Sequence, residues 1–249
     1  MASLIWLDEH APFPDPETAL PEGLLAVGAD LTIARLTQAY QRGIFPWFNE
    51  GDPILWWSPD PRMVLACDEF KPSRSLSKKL RQIARHEAKA SARIRVSTNI
   101  DFPAVIASCA GPRGGKYGTW ISSSIQAAYT AWHEAGAAHS IETWVDGKLA
   151  GGLYGVCQGR FFFGESMFSH ASDASKIALA YLVRFLAARD IRHIDCQQQT
   201  RHLSSMGARP LGRRQFLGLL EQALHYPAPE WGRGEIWQSG QLAEQDGKT

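Results

Sequence analysis

An excess of either charge is missing: the 249 residues carry 26 Lys and Arg against 25 Asp and Glu, a net charge of +1. So weak a field gives no reason for general binding to nucleic acid, and any polyanion site must be built locally. Long hydrophobic runs are missing too. No stretch approaches the roughly 18 apolar residues of a membrane span, and Asp8, Glu9, Pro12, Pro14, Asp15 and Pro16 break up the N-terminus where a signal peptide would be apolar. A cytoplasmic protein is expected. Cys67, Cys109, Cys157 and Cys196 stand far apart with no C-x-x-C spacing, which argues against a zinc site or a disulfide framework. The eight histidines form no H-E-x-x-H cluster, so no metal is expected. The stretch from Ala110 to Tyr117 resembles a phosphate loop, but Ala110 and Tyr117 stand where that motif needs Gly and Ser or Thr.

What is present, 45% hydrophobic and 20% charged residues, fits a globular chain of one large domain or a small one beside a medium one. The first sixty residues are rich in proline and tryptophan, with a helix from about Ile33 to Arg42 opened by Thr32 and closed by Gly43. Pro59 and Pro61 force extended geometry, which places a boundary near residue 62. A small N-terminal α/β domain over 1–62 and a larger domain over 63–249 are expected. In the latter, Leu76, Leu80, Ile83 and Ala84 give a helical period over about Arg74–His86, and Ile125, Ala128, Tyr129 and Trp132 mark a helix ending at Gly136. His139–Val145 and Lys148–Cys157 flank Asp146-Gly147, the signal of a type I′ hairpin. A strand from Arg160 towards Phe168, a helix capped by Ser172 or Asp173, a strand over Ile191–Cys196 and a helix over about Arg213–Leu224 complete an α+β pattern. Beyond about Tyr226 no pattern is legible.

The run Phe161-Phe162-Phe163-Gly164-Glu165-Ser166-Met167-Phe168 places one carboxylate among apolar side chains. An ionised Glu165 there is costly unless a cation or several donors meet it; it is protonated, paired within the fold, or reserved for a cationic ligand. A second polar segment, Asp195-Cys196-Gln197, ends another strand. On a regular strand Cys196 faces away from Asp195 and Gln197, so it reads as a packed thiol. Residues 71–95 hold nine Lys and Arg against one acid, Glu87, and Arg74, Lys78, Arg81 and Arg85 share the helix face opposite the apolar stripe. A charge run is commonly only a solvated face, but such faces mix signs; this one favours phosphate contact. Trp47, Trp56, Trp57 and Trp120 lie beside Gly- and Pro-rich loops. Tryptophans are core as a rule, yet this setting also suits stacking on an unpaired base.

Six segments in order, Gly43-Ile44-Phe45-Pro46-Trp47-Phe48, Trp56-Trp57-Ser58-Pro59-Asp60-Pro61-Arg62, Gly118-Thr119-Trp120-Ile121, Gly151-Gly152-Leu153-Tyr154-Gly155, Gly164-Glu165-Ser166-Met167-Phe168-Ser169 and Asp195-Cys196-Gln197, closely resemble the bacterial leucyl/phenylalanyl-tRNA–protein transferase family. The resemblance spans about residues 10 to 220. It implies a GNAT-like, acetyltransferase-type larger domain with a mixed, largely antiparallel sheet flanked by helices. It also implies transfer of Leu or Phe, less readily Met, from Leu-tRNA or Phe-tRNA to proteins with N-terminal Arg or Lys, marking them for degradation, with no cofactor, DNA or membrane involved. By the same resemblance Glu165 receives the aminoacyl ammonium, and Leu153, Phe162, Met167, Leu182 and Ile194 line the side-chain pocket. Strict alternation separates Phe162 from Met167, and Ile194 from Asp195, so this assignment requires a bulge or twist, for which Gly164 is a natural place. Tyr40, Trp47, Trp120 and Tyr129 surround the terminal adenosine, Arg74, Lys78 and Arg81 (with Arg85 on the same ridge) contact the acceptor end, and Asp195 and Gln197 are catalytic at the ester, Gln197 orienting the attacking amine and Asp195 binding or polarising it. An acetyl-coenzyme-A-dependent N-acetyltransferase is the chief alternative, but its Q/R-x-x-G-x-G/A loop is missing before the helix at Ser172. A non-catalytic RNA-binding module would leave Glu165, Asp195 and Gln197 without a role. The chain departs from the usual family pattern at Ala29, where Gly is common, and over Gln198-Gln199-Thr200-Arg201.

Overall fold

Three consecutive phenylalanines need apolar cover on both sides of a strand, because successive side chains point to opposite faces. In the computed structural model, which describes residues 4–111 and 120–243, Phe161 and Phe163 lie in one buried cluster and Phe162 in another. The chain begins with a four-stranded sheet of order β1 (Ile5–Leu7), β2 (Leu24–Gly28), β4 (Leu55–Trp57), β3 (Phe45–Pro46), with helix α1 (Ile33–Gln41) between β2 and β3. Thr32 accepts the Arg35 N–H to open α1, and Gly43 at φ 69° follows its end.

The second sheet has eight strands in the order β11 (Arg209–Leu211), β5 (Arg62–Ala66), β10 (His193–Gln197), β9 (Phe161–Ser169), β8 (Lys148–Gln158), β7 (Ala138–Val145), β6 (Ile94–Thr98), β12 (Gly234–Glu235). β9 and β10 run parallel and the other neighbouring pairs are antiparallel, so the α+β class with a mixed sheet is as expected. Asp146 at φ 49° and Gly147 at φ 77° make the turn between β7 and β8, both left-handed as a type I′ hairpin requires.

Helices cover both faces. α2 (Arg74–Ala84) and α5 (Ala174–Ala187) bury their apolar stripes in the Phe162 cluster. α1, α3 (Phe102–Ala110), α4 (Ser123–Glu134) and α7 (Arg213–Leu224) contribute to the cluster of Phe161 and Phe163, where Leu36, Tyr40 and Trp56 of the N-terminal region join Val64 and Phe216.

Two details differ from expectation. Asp173 occupies the N-cap position of α5 but caps nothing; at φ 66° its carboxylate turns instead to Lys79 at 2.9 Å and Lys176 at 3.3 Å. Beyond Tyr226, Trp231 and Ile236 join the core: Trp231 stacks on His139 at 4.0 Å, donates to Thr98 Oγ1 at 2.6 Å, and leads into β12 at the sheet edge. Residues 112–117 of the glycine-rich loop lie outside the described residues.

Candidate active site

Two departures from regular pairing bring the polar residues together. On β9, Gly164 faces Gly155 and Ser166 faces Tyr154, so Glu165 is left unpaired in a bulge. The extra residue returns Met167 to the face of Phe162. Gly155 permits the close approach, since a Cβ there would lie 2.5 Å from the Phe162 ring. On β10 the pairing with β5 steps between Asp195 and Gln197, and Gln197 takes a left-handed φ of 59°. Such a backbone costs about 1–2 kcal/mol outside glycine. Asp195 Oδ1 offsets part of it by accepting the Gln197 N–H at 2.8 Å, the geometry of an Asx turn.

β9 and β10 pair only at Ile194 with Phe162 and Asp195 with Phe163. Past those pairs a cavity of about 550 Å³ opens, at the carboxyl ends of parallel strands where open sheets commonly hold ligands. Leu153, Met167, Leu179, Leu182, Ile194 and Cys196 line it from the α5 side, and Phe45, Trp120 and Tyr154 belong to the opposite cluster. The cavity is therefore lined by residues of both clusters, and Glu165 and Gln197 are part of the same lining. Pro46, Trp47, Gln198, Thr200, His202 and Leu203 complete the lining.

Glu165 is 8% exposed and has two unlike oxygens. Oε1 accepts the Tyr40 hydroxyl at 2.8 Å and Gln197 Nε2 at 3.1 Å, whereas Oε2 is buried without a hydrogen bond. Tyr129 shares a 2.5 Å hydrogen bond with Tyr40 behind it. Burial, then the Glu165 charge, push both tyrosines well above the usual phenol range, so they stay protonated. Burial likewise pushes Glu165 up to about 7, against the opposing pull of Tyr40 and Gln197. Among the described residues no Lys or Arg forms an ion pair with it. Its partners within the fold are neutral donors, and one oxygen is left over.

Asp195 sits elsewhere. Its fully buried carboxylate is gripped by Arg62, Nε to Oδ1 at 2.8 Å and Nη2 to Oδ2 at 2.6 Å, and it does not line the cavity. Alternation is the reason: Ile194 and Cys196 face the cavity, so Asp195 between them faces away, and the bulge then brings Gln197 back. Sequence reasoning gave Arg62 no role; its position closing the Trp56–Arg62 motif was the available signal. Phe162 is also outside the lining, packed against Trp231 at 5.4 Å. Tyr40 and Tyr129 are fully buried behind Glu165 rather than at the cavity surface. Trp47, 37% exposed, and Trp120 do line it, and the Trp57 indole donates to the Trp47 carbonyl at 2.7 Å. Cys196 faces the cavity too, but burial pushes its thiol far above the reactive range. Arg74, Lys78 and Arg81 on α2 and Arg85 just past its end are exposed, without ion-pair partners among the described residues. No group of three or more His, Cys, Asp or Glu among those residues is arranged to hold a metal.

Two family models match the chain: one described as the leucyl/phenylalanyl-tRNA protein transferase N-terminal domain over residues 29–60, and one described as leucyl/phenylalanyl-tRNA protein transferase over residues 64–221. The chain belongs to the leucyl/phenylalanyl-tRNA protein transferase family. Proteins of that name from Bordetella petrii and Bordetella avium are 59% and 58% identical over 241 residues, covering 96% of this chain and 95% and 96% of theirs. The one from Nitrosospira multiformis is 53% identical over 234 residues, 93% of this chain and 95% of its own. Both departures from the usual transferase pattern now have a location. Ala29 holds a left-handed φ of 61°, a conformation that suits the more common Gly. Gln198 and Thr200 line the cavity, and Thr200 caps α6 (Arg201–Ser205).

Proposed function

We propose that this protein transfers Leu or Phe, less readily Met, from aminoacyl-tRNA to the N-terminal Arg or Lys of acceptor proteins in the cytoplasm, marking them for degradation. One observation carries the reading: the same cavity holds an apolar end, formed by Leu153, Met167, Leu182 and Ile194, and an acid whose Oε2 lacks a partner. An α-ammonium answers the second need and a Leu or Phe side chain the first. Met167 suits a pocket that accepts both shapes, because its unbranched thioether adapts. Trp47 and Trp120, from other parts of the lining, stack on the terminal adenosine, and Arg74, Lys78, Arg81 and Arg85 meet phosphates of the acceptor end. The ester then lies between the strands, beside Gln197.

The acceptor amine bonds to the ester carbonyl carbon, the carbon–oxygen bond to the ribose breaks, and the departing oxygen takes a proton as the amine loses one. The tRNA ester already supplies the activation, so the reading requires no cofactor. Gln197 gives its amide N–H to Glu165 and keeps its carbonyl for orienting the amine. A neutral amide is a poor base, but an α-amino group with pKa near 8 is roughly a tenth neutral at pH 7. Proximity and stabilisation of the oxyanion supply the remaining rate. A division into units 1–62 and 63–249, the second of acetyltransferase type, is supported by the break between the two family matches and by the parting of β9 and β10. The test is a transfer assay with Leu-, Phe- and Met-tRNA against peptides beginning with Arg, Lys or Glu. Transfer of Leu and Phe to the Arg and Lys peptides is expected; transfer to the Glu peptide alone, or none, would sink the reading.

A further inference from the structure

Arg62 is fully buried, and each arm of its guanidinium is engaged inside the protein. Nε and Nη2 hold the two oxygens of Asp195, and Nη1 donates to the Gly43 carbonyl at 2.9 Å. The Phe45 and Phe216 rings cover it at 4.7 and 4.6 Å. These contacts reach the roots of two cavity walls. Gly43 leads directly into Phe45, Pro46 and Trp47, which form one wall, and Asp195 leads into Cys196 and Gln197, which form part of the other. Asp195 Oδ1 also accepts the Gln197 N–H, closing the left-handed turn that aims Gln197 Nε2 at Glu165.

We propose that Arg62 is a positioning residue for aminoacyl transfer: it fixes Asp195, through Asp195 the backbone of Gln197, and so the placement of the Gln197 amide relative to the wall that carries Trp47. It touches no reacting atom. The task requires arginine, whose planar fork meets both carboxylate oxygens while its third nitrogen reaches a carbonyl; lysine brings a single nitrogen. Asp195 then serves as the link between Arg62 and Gln197 rather than as a group acting on the amine. The inference rests on the proposed function, which defines what is being positioned.

The experiment is a double-mutant cycle of Arg62→Lys and Gln197→Ala, read as the single-turnover rate of Phe transfer from Phe-tRNA to an Arg-started peptide at saturating concentrations. Arg62→Lys alone is expected to slow transfer about 10- to 100-fold, since a displacement of about 1 Å in a site costs about 100-fold, with the KM for Phe-tRNA almost unchanged. In the Gln197→Ala background the same change is expected to add almost nothing, because the residue it acts through is gone. An equal factor in both backgrounds would overturn the positioning role. Circular dichroism checks folding; should Arg62→Lys not fold, Arg62→Met with Asp195→Asn, which leaves no uncompensated buried charge, takes its place in the cycle under the same expectations. Wild-type protein that transfers neither Leu nor Phe would overturn the functional reading itself, whereas wild-type transfer with additive effects overturns the role of Arg62 alone.

Discussion

Glu165→Gln separates the acid's two oxygens experimentally. Tyr40 and Gln197 are both donors, so they hold the carbonyl oxygen of the new amide as they hold Oε1, and the NH2 group takes the place of Oε2. A buried acceptor without a partner becomes a donor. In the wild type, raising the carboxyl from 4.5 to about 7 withholds about 3 kcal/mol from the ionised form. The fold thus favours the protonated acid, so this group's contribution to stability is fully present below 4.5 and lost as pH rises through about 7. Glutamine suffers no such loss, and the stability difference between variant and wild type should move in the variant's favour by up to about 3 kcal/mol between pH 4.5 and 8. Ligand binding should respond in the opposite sense. A charge-assisted hydrogen bond to an ammonium is worth about 1.5–3 kcal/mol, so the preference for Phe-tRNA over deacylated tRNA should fall about 10- to 100-fold. Affinity for deacylated tRNA should stay unchanged. Filter binding with both tRNAs and urea unfolding at the two pH values read these effects. Equal weakening towards charged and uncharged tRNA would refute the ammonium site, and a pH-independent stability difference would refute the buried-acid argument.

Tyr40→Phe removes a donor that lowers the Glu165 pKa, so that pKa should rise above about 7 and the acidic limb of the kcat/KM profile for Phe-tRNA should shift to higher pH; an unmoved limb in a pH-rate series would contradict the hydrogen bond. Arg74→Ala with Arg81→Ala should weaken tRNA binding and flatten its dependence on salt by about 0.7–0.9 in slope for each phosphate no longer neutralised. An unchanged slope would mark the α2 ridge as merely solvated. Ala29→Gly should raise the urea midpoint by the equivalent of about 0.5–1 kcal/mol, the relief of a left-handed alanine less the added chain entropy of glycine. A loss of stability there would show that the neighbouring chain, not residue 29, sets the conformation.

Elements with strong local chemistry were legible. The Thr32 cap, the Leu76, Leu80, Ile83 stripe and the Asp146-Gly147 turn each follow from interactions within a few residues, which periodicity and turn preference report directly. The bulge near Gly164 was legible because the assigned residues required one. What was not legible depended on distant partners. Asp173 turns from capping α5 because Lys79 arrives from α2. Trp231 is core only because β12 joins β6 at the sheet edge. Tyr40 and Tyr129, assigned to the adenosine by resemblance, are fully buried and do not line the cavity, since α1 and α4 pack them towards Glu165.

The two acids that stood out in the sequence end in opposite electrostatic situations, and that contrast divides the work of the site. Asp195 is matched by a bidentate arginine and has no free oxygen facing the cavity. A carboxylate so engaged is expensive to separate from its partner, because removing one member of a buried pair costs about 3–5 kcal/mol, so Asp195 is suited to hold geometry steady, as proposed above. Glu165 is matched by neutral donors on one oxygen only, near the pH at which it changes charge. Its charge is therefore cheap to shift and sensitive to what enters the cavity. Gln197 touches both, by its backbone to Asp195 and its side chain to Glu165. The amide thus ties the rigid Arg62–Asp195 pair to the one acid that, in the proposed function, answers the incoming ammonium.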